Sequence, residues 1–349
     1  MPIMVLVNNY IWVEGSTSVL SENALKIPVI DLTETENEDL LSRKVVQAFE
    51  QTGMIYVENL PGLNLEQIYE CNKWFSKQPR EVKDTVLRHQ WNNKNKNIYR
   101  GYFPVLQDSG LFCEGFEVGE DTHVTFDSKH AKSLFYENSV WPAEDGEIKF
   151  KQKMHKFYGC YHKIGLDILR LCALGLGLPE TYFQYMFCDK PLSTLRLLHY
   201  PQRNGEPPKN AARTKDGKII AVDDHCDTEF LTLLTTFGHG GLEILDNNGD
   251  WQPVPPRPES LMVNIGDTFS SMMGGRFKAV RHRVVDLGIE RYSAAFFLAP
   301  SYDVDVGFDI MKKARGETTN LTEQPFGPFL FRKMKYEKKY PEFKDLPDE

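Results

Sequence analysis

The chain has 349 residues, of which 41% are hydrophobic and 26% charged, and its formal net charge is -8. This composition is typical of a globular protein with a substantial core, and the acidic balance gives no clustered basic face of the kind that nucleic-acid binding favours. The six cysteines form no CxxC pair, which argues against a zinc knot or a disulfide framework and fits a reducing compartment. No run approaches the roughly 20 apolar residues of a membrane span, and residues 1–13 lack the basic region of a signal peptide. We therefore expect a cytoplasmic protein.

The first third of the chain alternates predicted strands and helices. Hydrophobic periodicity and turn residues predict a strand at 26–32, a helix at 36–51, a strand at 54–57 and a helix at 63–83 that breaks near Pro79. This alternation by itself would suggest a dinucleotide-binding α/β unit. No Gly-rich turn follows either strand, which argues against that unit. The polar segment 88–97 that comes next is predicted to be a mobile loop.

The remainder of the chain favours a β fold. A long helix, apolar on much of its circumference, is predicted at 150–178 and should brace the back of a sheet. Short strand-like runs follow at 195–200, 219–222, 231–236, 242–245, 251–254, 261–265, 279–285 and 292–298. Many short strands at even spacing indicate a jelly roll or barrel.

The fold class that we predict is mainly β with flanking helices, in which a double-stranded β-helix (jelly-roll) core is braced by the long helix. Residues 1–349 would form one domain. Its parts would be an N-terminal α/β portion at 1–120, the jelly-roll core at 190–300 and a helical tail at 301–349 with a Lys-rich helix at 328–340. Either the loop 203–218 or the C-terminal helix could cover the active-site mouth.

Two potential metal ligands, His225 and Asp227, stand at i and i+2 in the run 219–236. Because side chains alternate along a strand, both would point to one face and could close on one ion. His282, in another β-branched run, is the best candidate for a third ligand. Two imidazoles and one carboxylate that leave coordination positions open suit non-haem Fe(II). A zinc hydrolase with the same ligands is a remote alternative.

A second pair, Arg291 and Ser293, repeats the i, i+2 spacing on the next strand-like run. A guanidinium and a hydroxyl on one face of a strand would make an anion clamp. The metal triad and the clamp are therefore expected on one sheet.

Several motifs occur in a fixed order along nearly the whole chain. They are IPVIDL (27–32), GMIYV (53–57), RGY (100–102), EGF (114–116), DHCDT (224–228), LTLL (231–234), GLEI (241–244), VNIGD (263–267), GRFKAVRHRV (275–284) and RYS (291–293). In these motifs the chain resembles the Fe(II)- and 2-oxoglutarate-dependent dioxygenases of the isopenicillin N synthase-like superfamily.

The resemblance implies an Fe(II) site with His225, Asp227 and His282 as ligands. It implies further that the co-substrate 2-oxoglutarate is held by Arg291, Ser293 and Tyr200. The reaction that it implies consumes O2, converts 2-oxoglutarate to succinate and CO2, and abstracts hydrogen from an unactivated C–H of the substrate. Hydroxylation, desaturation and oxidative cyclisation, including ring closure of the β-lactam or kainoid type, all remain open as outcomes.

The substrate residues that the resemblance suggests are Arg100, Tyr102 and Phe297. Arg100 lies in the segment that reaches the pocket in family members with carboxylate substrates, although it could equally be a solvated loop arginine. The expected substrate is a small, anionic amino-acid derivative or specialised metabolite. No nucleic-acid, membrane or protein partner is implied.

Two other functions are compatible with the same residues. The first is an iron oxidase of the same fold that uses O2 without 2-oxoglutarate, because such an enzyme can keep an Arg-x-Ser pair. The second is a non-catalytic binding protein or sensor on this fold. The three candidate ligands argue against it, because such a protein does not need a metal site with open coordination positions. Succinate formed per turnover distinguishes the first alternative from a 2-oxoglutarate-dependent enzyme.

Overall fold

The structure is a computed structural model, and it describes most of the chain. The described residues are 4–7, 10–13, 26–34, 37–105, 112–121, 131–144, 146–207, 209, 211–318, 322–335, 340, 343–344 and 346, with only the backbone given at 4–7, 10–13, 131 and 133. Helices and strands within these ranges are numbered in chain order.

The described residues form fourteen strands and eight α-helices. The strands are β1 (Met4–Val7), β2 (Tyr10–Val13), β3 (Val29–Asp31), β4 (Met54–Glu58), β5 (Gly101–Phe103), β6 (Glu114–Val118), β7 (Thr194–Tyr200), β8 (Ile220–His225), β9 (Leu231–Thr235), β10 (Leu242–Leu245), β11 (Trp251–Pro253), β12 (Leu261–Ile265), β13 (His282–Val285) and β14 (Arg291–Leu298). The helices are α1 (Glu38–Gln51), α2 (Leu65–Ser76), α3 (Arg80–Asp84), α4 (Ala131–Phe135), α5 (Phe150–Gly175), α6 (Asp267–Met272), α7 (Ile310–Ala314) and α8 (Phe326–Met334). A short 3-10 helix spans Gln184–Phe187.

Two sheets make up the core of the fold. The larger sheet has eight strands in the order β3-β4-β12-β9-β14-β7-β6-β5, and the smaller has four in the order β11-β10-β13-β8. Neighbouring strands are antiparallel except for the parallel pair β3 and β4. A separate hairpin pairs β1 with β2. The prediction of a mainly β, jelly-roll fold with flanking helices is confirmed.

The N-terminal part of the chain joins the larger sheet at both of its edges. Strands β3 and β4 extend one edge, and β5 and β6 extend the other. The alternating strands and helices of this part therefore build no separate parallel sheet. This shared sheet supports our proposal that residues 1–349 form one domain.

Helix α5 braces the larger sheet, as the apolar pattern of 150–178 predicts. Successive residues of a strand face opposite sides, and on β14 Phe296 faces α5, where its ring stacks on Tyr161 with centroids 5.5 Å apart. The helix approaches closely at Gly165, where a Cβ would lie 2.9 Å from a methyl carbon of Leu298. The opposite face of the larger sheet borders a cavity.

Two predictions about local structure need correction. Segment 88–97 is held by hydrogen bonds, since Asn95 donates to the carbonyls of Asp84 and Leu87 and Asn97 donates to that of Arg100. Its polar composition therefore reflects side chains that bind the backbone. The C-terminal helix ends at Met334, and 336–339 of the predicted helix lie outside the described residues. No helix in the described part of the chain is long and apolar enough to cross a membrane.

Candidate metal and co-substrate site

A cavity of about 580 Å³ lies between the two sheets. Its floor is the inner face of the larger sheet, where alternate side chains of neighbouring strands point inward. The lining residues of β7 are Thr194, Arg196, Leu198 and Tyr200, and those of β14 are Arg291, Ser293, Ala295 and Phe297. The candidate metal ligands line the same cavity from the side of the smaller sheet.

The structure brings His225, Asp227 and His282 together. One ligand atom from each of the three lies within 4.8 Å of the other two. The two histidines are paired residues of β8 and β13, and their ring centroids are 4.3 Å apart. Strand β8 ends at His225, so Asp227 lies beyond it and is brought to the histidines by the following turn. The shared face that the i, i+2 spacing predicts is therefore produced by a turn, and strand pleating does not account for it.

Both imidazoles present the Nε2 atom to the shared space. Nδ1 of His225 lies 2.8 Å from the Asp223 carbonyl oxygen, and Nδ1 of His282 lies 3.0 Å from that of Val280. A carbonyl can only accept a hydrogen bond, so Nδ1 carries a proton in each ring, and in the neutral form of the ring Nε2 has the lone pair that a metal would bind. The two Nε2 atoms lie 3.7 and 3.8 Å from Oδ1 of Asp227.

The carboxylate of Asp227 is buried and oriented by two donors. Thr232 Oγ1 and Asn264 Nδ2 donate to Oδ2 over 2.6 and 2.9 Å, which leaves Oδ1 turned toward the histidines. Burial alone would raise the pKa of Asp227, but the positive charge of the two imidazoles in their protonated form and these two hydrogen bonds outweigh it and hold the pKa below its ordinary value. Two imidazole nitrogens and one carboxylate oxygen on one side of a shared space are a donor set that fits Fe(II).

The turn that carries Asp227 is held by the start of α6. The Asp267 backbone N–H donates to the Asp227 carbonyl over 2.7 Å, and Thr268 donates to the Thr228 carbonyl through both its N–H and its hydroxyl. This contact requires glycine at 266, because a Cβ there would lie 2.1 Å from the Glu229 carbonyl oxygen. The motif VNIGD therefore supports the turn that carries the candidate ligand Asp227.

We expect Thr232→Val to weaken metal binding without unfolding the protein. Valine keeps the shape of threonine but removes one of the two donors to Asp227 Oδ2. Loss of a hydrogen-bonding partner of a metal ligand costs roughly 10- to 100-fold in affinity. Calorimetric titration with Fe(II) or Co(II) measures the loss. Thr85→Val, at an exposed turn, is the control, and equal affinities of the two variants would contradict the role of Thr232.

At the other end of the cavity lies a cationic pocket formed by Arg291, Ser293 and Tyr200. Arg291 is 3% exposed, and its guanidinium carbon lies 3.5 Å from the centroid of the Tyr200 ring. Its buried Nη2 has no hydrogen-bond partner among the described residues. Burial raises the pKa of Tyr200 to about 12 against the effect of Arg291, so the phenol is neutral.

Arg291 has no carboxylate partner among the described residues, and a buried guanidinium of this kind is costly unless an anion balances its charge. A planar carboxylate can accept two parallel hydrogen bonds from arginine. The geometry therefore fits a ligand whose carboxylate lies between Arg291 and Ser293. The distal carboxylate of 2-oxoglutarate has this chemistry, and its other end would face the metal ligands.

The structure does not bring Arg100 and Tyr102 to the cavity, contrary to the prediction. Arg100 is buried, where it donates to Thr194 Oγ1 over 2.5 Å and stacks on Tyr99 with its guanidinium carbon 4.4 Å from the ring centroid. The Tyr102 hydroxyl donates to Glu114 on the opposite side of β5. Neighbouring positions of a strand face opposite sides, so Phe103 lines the cavity while Tyr102 faces α2.

Arg196 and Lys333 line the cavity although neither was singled out from the sequence. A usable signal exists for Arg196, because Tyr200, Leu198, Arg196 and Thr194 are alternate residues of one strand and share a face. Lys333 comes from α8 together with Leu330 and Met334. Nothing in the local sequence indicates where α8 lies. Phe297 lines the cavity, and its contact with a substrate stays a prediction.

Two family models match the chain. Residues 191–300 match the 2OG-Fe(II) oxygenase superfamily, and residues 27–144 match the N-terminal region of non-haem dioxygenases described from morphine synthesis. The first match contains all six residues assigned to metal and 2-oxoglutarate. The second contains the strands that extend the larger sheet at its edges.

Named relatives and solved structures agree with these matches. The chain is 31% identical over 301 residues to kihadalactone A synthase LFS of Citrus sinensis, covering 80% of this chain and 84% of that protein. It is 31% identical over 251 residues to a 2-oxoglutarate-dependent dioxygenase of Didymella fabae, covering 68% of this chain and 72% of that protein. The fold is similar to that of a full-length Neurospora crassa protein solved in complex with alpha-KG, with a TM-score of 0.73 and 23% identity over 90% of this chain and 97% of that one.

Proposed function

Because the chain belongs to the 2OG-Fe(II) oxygenase superfamily and is a non-haem iron, 2-oxoglutarate-dependent dioxygenase, we propose that it oxidises an unactivated C–H of a small, carboxylate-bearing metabolite or amino-acid derivative. The outcome would be hydroxylation, desaturation or oxidative cyclisation, with ring closure of the β-lactam or kainoid type among the possibilities. The observation that carries the proposal is the unbalanced Arg291 guanidinium in the same cavity as the three metal ligands.

In this proposal His225, Asp227 and His282 hold Fe(II). Bound iron would supply the activation of O2. Two of the four electrons that reduce O2 would come from the oxidation of 2-oxoglutarate to succinate and CO2, and the other two from the C–H of the substrate. The carbonyls of Asp223 and Val280 accept from Nδ1 of the two rings and so orient both imidazoles with Nε2 toward the metal position. The protein keeps Asp227 ionised through Thr232 and Asn264, so the ligand set is ready to bind a cation.

Arg291, Ser293 and Tyr200 orient the co-substrate in this proposal. Arg291 binds its distal carboxylate, the Ser293 hydroxyl donates to the same group, and the Tyr200 ring supports the guanidinium from one face. Apolar side chains that line the same cavity would limit the access of water to it. They are Leu198, Val222, Leu234, Leu242, Met262 and Val284.

Helix α8 is the better candidate for a cover over the mouth of the cavity. Its residues Leu330, Lys333 and Met334 line the cavity, and Lys333 Nζ lies 3.9 Å from Asp267 at the start of α6. None of the described residues of loop 203–218 lines the cavity. Arg203 of that loop is instead paired with Asp286. The contacts therefore favour α8 over the loop.

We expect Arg291→Met to raise the KM for 2-oxoglutarate roughly 10- to 100-fold, because a hydrogen bond to a charged group contributes about 1.5–3 kcal/mol. Methionine fills part of the volume and removes the charge. Fe(II) affinity should stay within a few-fold of wild type, because Arg291 contacts none of the three metal ligands. Arg276→Met, which removes an exposed guanidinium paired with Glu50, is matched in charge and serves as the control. An unchanged KM in Arg291→Met would remove Arg291 from the co-substrate pocket.

Succinate release tests the proposed reaction. Incubation of the Fe(II)-loaded enzyme with 2-oxoglutarate and a panel of carboxylate and amino-acid candidates should show stimulated succinate formation with a true substrate. Substrate oxidation with no succinate from 2-oxoglutarate would instead indicate an oxidase of the same fold that uses O2 alone. A non-catalytic sensor is disfavoured by the relatives that are themselves named dioxygenases.

We also propose an anionic substrate, no protein or nucleic-acid partner, and a cytoplasmic location. All six cysteines are free, which fits a reducing compartment. The net charge of -8 does not favour binding to nucleic acid. Fractionation of cells that express the tagged full-length chain tests the location, and recovery in a secreted or membrane fraction would contradict it.

A further inference from the structure

Arg196 is a cavity residue to which the binding of iron and 2-oxoglutarate gives no role. It lies on the inner face of β7, paired with Ala295 of β14 on one side and Glu117 of β6 on the other. Its side chain is 19% exposed. Its guanidinium carbon lies 4.6 Å from the centroid of the Phe297 ring, and both residues line the cavity. A guanidinium and an aromatic ring thus form one wall.

Behind this wall lies a buried charge cluster. The Glu117 carboxylate, which is fully buried, accepts from Arg196 Nε over 2.5 Å and from Arg88 on its other oxygen. The Tyr340 hydroxyl lies 3.2 Å from Glu117, and burial holds the pKa of Tyr340 well above its ordinary value, so it adds no charge. Among the described residues, two guanidinium groups thus contact this one carboxylate. Arg196 borders the cavity, whereas Arg88 is fully buried behind it.

We infer that Arg196, with Phe297, anchors a carboxylate of the substrate. The inference rests on the proposed function and names the residue that recognises the anionic group. The planar guanidinium borders the cavity, and it suits an incoming carboxylate because it can donate two parallel hydrogen bonds. The Thr194 hydroxyl lies two residues away on the same face of β7. An aliphatic or aromatic body would lie against the Phe297 ring.

The position of Arg196 also separates the substrate from the co-substrate. Arg196 and Tyr200 are four residues apart on β7, so they lie about 13 Å apart along the strand. Phe297 is paired with Thr232, whose hydroxyl donates to the metal ligand Asp227. A substrate held at Arg196 and Phe297 therefore extends toward the metal ligands from the end opposite to Arg291. Arg196 would select which carbon is presented, without touching the reacting atoms.

Binding of matched probe pairs tests this inference. The probes are 4-phenylbutanoate, octanoate and N-acetylphenylalanine, each paired with its primary amide, and the protein is loaded with Fe(II) and 2-oxoglutarate without oxygen. Ligand-observed NMR titration should show at least one carboxylate binding about 10-fold or more tighter than its amide, as expected for a charge-assisted hydrogen bond. Arg196→Met should lose this preference, and Arg196→Lys should keep only part of it. Arg276→Met, matched in charge, should keep all of it.

Folding of Arg196→Met is expected, because Arg88 still pairs with Glu117 in that variant, and its melting temperature checks this. A carboxylate preference that survives in Arg196→Met would overturn the inference. So would a wild-type protein that binds no carboxylate better than its amide, including one that binds no probe. Succinate release is measured separately and decides the proposed function, whereas the binding preference decides the role of Arg196.

Discussion

Asp227→Ala is expected to abolish 2-oxoglutarate turnover. The substitution removes the one carboxylate among the three candidate ligands, and it removes the negative charge that would balance a divalent cation in a buried site. Loss of a direct ligand should reduce metal affinity by more than the roughly 10- to 100-fold that loss of a ligand's hydrogen-bonding partner costs. His225→Ala and His282→Ala should act in the same direction. Fe(II) titration and succinate release measure the two effects.

The control for this prediction is Asp39→Ala, which removes an aspartate from an exposed ion pair with Arg43 on α1. Its turnover should match that of wild type. Asp227→Ala itself should remain folded, because Thr232 and Asn264 then face a cavity that water can enter. Turnover within 10-fold of wild type in a folded Asp227→Ala protein would exclude Asp227 as a ligand.

Glu117→Leu is expected to destabilise the protein by about 3–5 kcal/mol, the range for removing one partner of a buried ion pair. Arg88 is 0% exposed, and its guanidinium lies against the rings of Phe103 and Tyr340. Without Glu117 its charge would have no carboxylate partner among the described residues. Urea denaturation measures the free energy of unfolding.

A second variant separates charge from packing at this position. The double variant Arg88→Met, Glu117→Leu removes the guanidinium of Arg88 together with the carboxylate of Glu117. It should therefore recover part of the stability that Glu117→Leu loses. Arg43→Met, at the exposed pair with Asp39, should cost less than about 1 kcal/mol. A loss below about 1 kcal/mol in Glu117→Leu would show that the buried cluster contributes little to folding.

The grouping of the three candidate metal ligands could be predicted from the sequence because these residues stand in short, characteristic spacings. His225 and Asp227 are two residues apart, and His282 lies in a β-branched run that pairs with the strand of His225. Strand alternation places Arg291 and Ser293 on one face, whereas Asp227 reaches the histidines through the turn after β8. The chain segments that carry these residues are strands or the turns next to them, so local pattern and final geometry agree.

The substrate end of the cavity could not be predicted in the same way. It is assembled from β5, β7, β14 and α8, which are far apart in the sequence. Whether Tyr102 or Phe103 faces the cavity depends on the register of β5 against β6, and a shift of one residue exchanges the two faces. The two arginines likewise point to different places: Arg100 is buried against Tyr99, whereas Arg196 reaches the cavity. Segment 88–97 was misjudged because its asparagines bind the backbone.

Charge-transfer absorption of the Fe(II) complex tests the central claim most directly. We predict that anaerobic addition of Fe(II) and 2-oxoglutarate to the wild-type protein gives a visible absorption band that neither component gives alone. Arg291→Met should need roughly 10- to 100-fold more 2-oxoglutarate to reach the same band, and Asp227→Ala should give none. Absence of the band in the wild-type protein at saturating Fe(II) and 2-oxoglutarate would contradict the assignment of these residues to one iron and co-substrate site.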